Sequence, residues 1–203
     1  MHGIFILKRI KNMKSSLIAL ALAAALPLSA QAADLNYNFV ELDYARTNID
    51  NTDANPDGFG IKGSAKIAEP LYLFGSYLRG SDSVSGVGID FDQFQVGIGY
   101  RNAVRDNTDF IGELSYIKDK VDVSGFGSGD AHGYRASAGF RSALADNFEG
   151  YVKANWTDGG DFDGKFSCTL GAQYKFNPTW GLTGEAEFGG HADIYSIGVR
   201  ASF

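Results

Sequence analysis

Two histidines of the chain each lie close to an acidic residue, an arrangement that can support acid–base chemistry. His132 follows Asp130 by two positions, and His191 precedes Asp193 by two. A histidine oriented by a carboxylate can act as the general base for a nucleophile. Neither pair has a nucleophile or a third catalytic group at a spacing that would complete such a site. We therefore interpret both pairs as solvated loop residues and predict no catalytic residues.

The segment that contains Asp53, Asn55, Asp57 and Gly58 resembles the beginning of a calcium-binding loop. In such a loop a bidentate glutamate completes the coordination sphere, because calcium requires several oxygen ligands. The position of that glutamate is occupied here by Ser64. Asp53, Asn55 and Asp57 are thus candidate metal ligands in an incomplete loop, and the sequence predicts neither a dedicated metal site nor a cofactor. Diffuse contact of divalent ions with acidic loops is the alternative.

The cysteine content excludes two kinds of site. Cys168 is the only cysteine of the chain, so neither an internal disulfide nor a cluster of thiolates around a metal can form. It lies on the apolar side of an alternating segment, and we interpret it as a small hydrophobic side chain.

A further set of chemically active groups consists of charged residues that alternate with apolar ones. They are Glu41, Asp43, Lys62, Glu113, Arg135, Lys153, Lys165, Glu185 and Glu187. Both signs are present, and a buried charge without a partner costs several kcal/mol. These groups must pair with each other and close the space between them, or stay hydrated and line a narrow pore. We favour the first interpretation and keep the second as the alternative, with Tyr72 and Phe74 as apolar filler.

The elements that carry these charges alternate in hydrophobicity, most regularly in the last nine residues. Tyr195, Ile197, Val199 and Phe203 share one face with Ala201, while serine, glycine and arginine occupy the other. Period-two alternation predicts β-strands, and an apolar outer face opposite a polar inner face is typical of strands that cross a membrane.

Short turns and glycine- and aspartate-rich linkers divide the chain into five hairpins. The turns are Ala68-Glu69-Pro70, Asn102 to Thr108, Ala143 to Asn147 and Asn177-Pro178-Thr179. The linkers are Arg46 to Asp57, Gly80 to Asp90, Asp122 to Ala131, Asp158 to Asp163 and Gly189 to Asp193. The sequence therefore predicts an all-β fold, a transmembrane antiparallel up-and-down barrel of ten strands with eight as the alternative. The turns are expected to face the periplasm and the acidic linkers the outside.

Aromatic residues mark both ends of the apolar face. One predicted ring contains Tyr44, Phe59, Tyr77, Phe94, Tyr116, Tyr134, Trp156, Phe166, Phe188 and Tyr195. The other contains Tyr100, Phe110, Phe140, Phe148, Tyr174, Trp180 and Phe203. Aromatic side chains favour the depth of lipid headgroups. Two rings in register favour a membrane barrel over a soluble secreted barrel, which would carry its charges outside.

The first 32 residues have the features of a secretory signal peptide. Four basic residues precede an apolar run of twelve residues that ends at Leu28, and Ala30-Gln31-Ala32 fits a cleavage site before Ala33. We predict export, with residues 33–203 as one barrel domain. The leader holds four of the 18 Lys and Arg, which leaves 14 against 24 Asp and Glu. This acidic balance argues against nucleic acid as a partner.

The alternation and the terminal Phe203 resemble small bacterial outer-membrane barrels of the opacity and outer-membrane-protein-X type. Three segments are similar to the xanthomonad family of small outer-membrane proteins that is regulated by diffusible signal factor and was once labelled a sulfation-dependent quorum factor. They are the leader from Met13-Lys-Ser-Ser-Leu, the predicted first strand from Tyr37 to Tyr44, and Tyr174-Lys-Phe-Asn-Pro-Thr-Trp-Gly181. The resemblance implies fold and location but no active site.

The resemblance also implies that the barrel assembly machinery recognises the last strand through Tyr195, Ile197, Val199 and Phe203. Further expected partners are outer-membrane lipid, lipopolysaccharide and a surface ligand or host receptor. We predict a non-enzymatic outer-membrane protein with a structural or surface-interaction role through its acidic loops. A small diffusion pore is the alternative, ahead of a rim enzyme that acts on lipid or peptide.

Overall fold

A computed structural model describes residues 35–49, 55–84, 86–189 and 192–203. The predicted signal peptide, the candidate ligand Asp53 and His191 lie outside these ranges. Among the described residues, no helix is long and apolar enough to cross a membrane.

The described chain folds into ten antiparallel strands that close into one barrel, in which each strand pairs with its neighbours in sequence and β1 pairs with β10. This confirms ten strands rather than eight. The strands are β1 (Phe39–Ile49), β2 (Asp57–Ala68), β3 (Leu71–Val84), β4 (Val87–Arg105), β5 (Thr108–Val123), β6 (Gly127–Ala145), β7 (Phe148–Gly159), β8 (Phe162–Lys175), β9 (Trp180–Gly189) and β10 (Ala192–Ser202).

Burial along β1 shows how alternation determines the two faces of the barrel. Leu42 is 64% exposed, whereas its neighbours Glu41 and Asp43 are 3% and 5% exposed. The charged residues thus face the lumen and the apolar residues face outward. A closed sheet leaves no edge strand, so the backbone groups at membrane depth can be hydrogen-bonded between strands.

One end of the barrel carries the four short turns, together with the start of β1 and the end of β10. We call it the turn end and the opposite end the hairpin end. The aromatic residues of both predicted rings lie on the outer surface at these two levels. Trp156 at the hairpin end is 49% exposed and Trp180 at the turn end is 50% exposed. Cys168 is half-buried and free.

Two of the predicted linkers differ most from the structure, because nearly all or most of their residues belong to paired strands. Within Gly80 to Asp90, Ser81 pairs with Asp90 and Val84 with Val87. Within Asp122 to Ala131, strand pairing continues to Val123 and Gly127. Glycine, serine and aspartate favour turns locally, but a cross-strand partner can override that preference. The strands β3 to β6 therefore project beyond the outer aromatic ring as two long hairpins.

A small apolar cluster fills the lumen at the turn end. Tyr37, Tyr72 and Ile111 are each at most 5% exposed and pack with the partly buried Leu35 and Phe74. Tyr37 precedes β1, so the cluster joins the segment before the first strand to β3 and β5. The filler role predicted for Tyr72 and Phe74 agrees with this packing.

Candidate functional site

The candidate functional site is the barrel lumen, where the predicted charges meet. Lys62 on β2 is at the centre of an acidic group that belongs to two other strands, β1 and β9. Its Nζ lies 3.2 Å from Glu185 Oε1, 3.7 Å from Glu41 Oε1 and 3.9 Å from Asp43 Oδ2. Alternation along β1, β2 and β9 directs these side chains into the lumen, and closure of the barrel brings Lys62 close to Glu185 although they are far apart in sequence. One ammonium group thus faces three carboxylates.

Two additional residues complete this central cluster. Arg200 on β10 donates from Nε to Glu41 Oε2 at 2.7 Å, and its guanidinium lies 3.9 Å from the centroid of the Phe39 ring. The Tyr151 hydroxyl donates to Glu185. The three carboxylates thus face two cations and a neutral donor, which reduces the cost of their buried charge.

Two ion pairs lie beside the central cluster. Lys153 Nζ is 3.1 Å from Glu113 Oε2, and the Tyr72 hydroxyl donates to Glu113 Oε1 at 2.8 Å. Nearer the hairpin end, both terminal nitrogens of Arg135 contact Glu187, at 3.1 and 3.2 Å. Bidentate contact of this kind fixes both side chains more firmly than a single hydrogen bond.

At the turn end a second network surrounds the ring of Tyr37. Its hydroxyl donates to Asp109 Oδ2 at 2.9 Å, and the guanidinium of Arg141 lies 4.8 Å from the ring centroid. Arg141 in turn donates from Nη2 to Glu149 Oε2 at 2.5 Å, and Lys175 also pairs with Glu149. An aromatic ring and its charged neighbours thus occupy the lumen at the turn end.

Glu69 lies in the first short turn, outside the membrane-spanning strands, and pairs with two cations, Lys66 and Arg101. Hydrogen bonds from Lys66 and Arg101 hold the pKa of its carboxyl below the usual range. Because Glu69 is exposed, this pairing stabilises the turn only weakly.

Lys165 does not form the ion pair that the sequence predicts. It lies in the lumen wall near the hairpin end, but no described carboxylate is within salt-bridge distance of it. The other predicted lumen cations, Lys62, Arg135 and Lys153, each have a carboxylate partner.

A series of cavities runs down the lumen. A cavity of about 210 Å³ at the hairpin end and one of about 80 Å³ below it are both lined by Arg135 and Glu187. The latter shares Lys62 and Glu185 with a third cavity of about 150 Å³. Tyr37 lines this third cavity and also an open vestibule of about 600 Å³ at the turn end. The polar path from the hairpin end is therefore interrupted at Tyr37.

The remaining candidates lie on the outer surface. His132 Nδ1 is 2.8 Å from Asp161, rather than paired with Asp130, whose carboxylate contacts Lys118. Asp57 accepts a hydrogen bond from the Tyr44 hydroxyl, and the Asn55 backbone donates to Asp82. In the part of the chain that the structure describes, no three acidic, histidine or cysteine residues are grouped as metal ligands.

Sequence reasoning missed Tyr37 and Tyr151 as members of these networks. Tyr151 directly precedes Val152, which the sequence assigns to the outer face. Alternation therefore places Tyr151 on the inner face, and this was a usable signal. Tyr37 precedes β1, but its spacing of two from Phe39, and so from the inward Glu41 and Asp43, was a usable signal for it as well.

The sequence profile of the family described as "Outer membrane protein beta-barrel domain" matches residues 18–159. No curated protein matches the chain in sequence.

Solved barrel structures are similar to this one. The KdgM porin in complex with disordered oligogalacturonate has a TM-score of 0.50 and 13% identity, with 80% of this chain and 99% of that chain covered. Ail, the attachment invasion locus protein of Yersinia pestis, has a TM-score of 0.41 and 16% identity, with 83% and 98% covered. The N-terminal barrel of Pseudomonas aeruginosa OprF has 0.43 and 13%, with 83% and 100% covered. At such identities the likeness to the first concerns the fold alone.

Proposed function

Because the chain belongs to the family of outer-membrane protein β-barrel domains, we propose that it is a non-enzymatic barrel of the bacterial outer membrane with a closed lumen. In this proposal the protein acts at the cell surface through the two hairpins that project beyond the outer aromatic ring. The hairpins are β3–β4 and β5–β6.

The observation that carries the proposal is the closure of the lumen at Tyr37. This ring is 5% exposed, stacks against Tyr72 with centroids 4.8 Å apart, and is held through its hydroxyl by Asp109. Ion pairs of Lys62, Lys153 and Arg135 occupy the lumen above it. A lumen closed in this way favours a structural and surface role over diffusion.

The projecting hairpins present charged groups where lipopolysaccharide carries its phosphates. Arg79, Lys118 and Lys120 continue the outward parity of Tyr77 and Tyr116 beyond the aromatic ring. The side chains of Arg79 and Lys118 are 67% and 47% exposed. Guanidinium and ammonium groups are the usual ligands of phosphate. Lipopolysaccharide is thus the surface partner that these hairpins fit.

This role can be tested by unfolding the refolded protein in vesicles with and without lipopolysaccharide. We expect lipopolysaccharide to raise the urea midpoint of the wild type but not that of a variant with Arg79→Gln, Lys118→Gln and Lys120→Gln. Arg105→Gln at the turn end is the control and should behave as wild type. An equal rise in all three proteins would contradict a role for the hairpins.

A small pore is the second candidate, because the cavities form a nearly continuous path from the hairpin end to Tyr37. Conductance in planar bilayers separates the two candidates. We expect the wild type to show no steady channels, Tyr37→Ala to conduct, and the control Tyr44→Ala in the outer ring to remain silent. Steady wild-type channels would make the pore the function.

Three further expectations are parts of this proposal. Residues 1–32 are removed as a signal peptide before Ala33, and the assembly machinery recognises the final strand through Tyr195, Ile197, Val199 and Phe203. Similarity to the xanthomonad quorum-factor family stays a prediction from the quoted segments.

A further inference from the structure

The hairpin end of the lumen contains a cavity with a partly apolar wall, separate from the apolar cluster at the turn end. It has a volume of about 210 Å³, and its lining includes Phe91, Phe162 and Ile194. Inward positions of a membrane barrel are normally polar, since they contact water or one another. Contact with water at the mouth of the barrel does not stabilise these three large apolar side chains. An apolar ligand that covered them would remove their surface from water, which is favourable.

The position of Phe162 depends on two glycines. The pairing of β7 with β8 shifts between Thr157 and Gly159, and Gly164 has a φ of 31°, which favours glycine. A Cβ atom at Gly133 would lie 2.7 Å from the ring of Phe162. The irregular strand thus turns the ring towards the lumen, and the missing side chain at Gly133 leaves room for it.

Two opposite charges in the same cavity form no salt bridge with any residue that the structure describes. Lys165 forms no ion pair with a described residue, although it lines the cavity. Asp119 accepts a hydrogen bond of 3.0 Å from Gln93 Nε2, and none of the described cations forms a salt bridge with it. By contrast, Arg135 and Glu187 in the same wall satisfy each other. The cavity therefore offers one ammonium and one carboxylate together with an apolar surface.

We propose that this cavity binds a small zwitterion with an apolar side chain, of the class of a free aromatic amino acid. The ligand carboxylate would contact Lys165, its ammonium would contact Asp119, and its side chain would lie against Phe91, Phe162 and Ile194. An anionic ligand would leave Asp119 without a partner, and a cationic ligand would leave Lys165 without one. The volume lies below the roughly 300 Å³ at which pockets for drug-sized ligands begin, so the ligand is small.

The site is independent of the lipopolysaccharide surface proposed above. Its residues face the lumen, whereas Arg79, Lys118 and Lys120 face outward. The cavity lies on the side of Tyr37 that leads to the hairpin end, so a ligand enters from outside the cell and does not need to cross the barrel.

Equilibrium dialysis of the protein extracted from outer membranes tests the proposal with three probes. L-phenylalanine carries both charges, L-phenylalaninamide lacks the carboxylate, and 3-phenylpropanoate lacks the ammonium. We expect saturable binding of L-phenylalanine in the millimolar range and at least tenfold weaker binding of the other two. Absence of saturable binding, or equal binding of all three probes, would overturn the proposal.

Two variants assign the contacts. Lys165→Gln and Asp119→Asn should each weaken the binding of L-phenylalanine at least tenfold, whereas Lys120→Gln, on the opposite face of β5 from Asp119, should leave it unchanged. Lys165→Gln should also leave L-phenylalaninamide binding as it was, which a general distortion of the barrel would not do. Variants that bind like the wild type would refute the assignment. If a variant is not recovered as a folded barrel, the three probes on the wild type decide alone.

Discussion

The loss of the Glu149 charge should destabilise the turn end of the barrel more than any comparable change at its surface. Glu149 is 2% exposed and is the common partner of Arg141 and Lys175. Arg141 is itself 6% exposed and donates to Glu149 from Nε at 3.1 Å and from Nη2 at 2.5 Å. Glu149→Gln keeps the size of the side chain but removes its charge, so two cations lose their shared counter-charge.

The expected magnitude follows from the burial of Arg141. Removing one partner of a buried ion pair costs about 3–5 kcal/mol, mostly because the remaining charge is left uncompensated. Lys175 is next to the open vestibule and can be hydrated there, so most of the cost arises from Arg141. Replacing both members of the pair should therefore be less harmful. We expect Arg141→Met with Glu149→Gln to lie within about 1 kcal/mol of the wild type.

Urea unfolding in lipid vesicles measures these free energies. Trp156 and Trp180 lie near opposite ends of the barrel and report its folding by fluorescence. The control is Glu69→Gln, the same chemical change at an exposed carboxylate that also pairs with two cations; its unfolding midpoint should not move. A Glu149→Gln variant as stable as this control, or a double variant no better than the single one, would refute the reasoning.

Two other outcomes follow from the packing of the lumen and from the last strand. A Cβ atom at Gly171 would lie 2.1 Å from Tyr151 Cζ, so Gly171→Val should cost about 1–3 kcal/mol in the same unfolding assay. Gly184→Ala, whose Cβ would approach nothing closer than 4.0 Å, should be neutral, and equal effects would contradict the argument. Deletion of Phe203 should lower the outer-membrane level measured by fractionation but not refolding from urea into detergent, because the lost ring is worth only about 2 kcal/mol. Normal outer-membrane levels would show that Phe203 is not a recognition signal.

The sequence determines the strand faces and the strand number because alternation is a local property. Each strand must present apolar residues to lipid and polar residues to the lumen, so parity alone assigns Glu41, Lys62 and Glu185 to the inside. The same argument assigns the aromatic rings. Local composition was less reliable at the hairpin end, where glycine- and aspartate-rich segments such as Gly80 to Asp90 pair as strands.

Parity does not determine which inward groups meet. The contact between Lys62 and Glu185 depends on how far neighbouring strands are shifted along the barrel, and this stagger is a property of the closed sheet. The same stagger leaves Lys165 and Asp119 without a salt bridge to any described residue, although nothing in their local sequences distinguishes them from Lys153 or Glu113.

Only the tertiary structure shows which groups the ring of Tyr37 meets in the lumen. The residue lies before the first strand, and its environment is built by Tyr72, Asp109 and Arg141 from three other strands. The orientation of Phe162 likewise depends on a pairing shift and on the missing side chain of Gly133, which belongs to a different strand. The sequence thus determined that this chain is a membrane barrel with a charged interior. Closure of the sheet decided which charges are neutralised and where the lumen is blocked, because it brings together residues from distant parts of the chain.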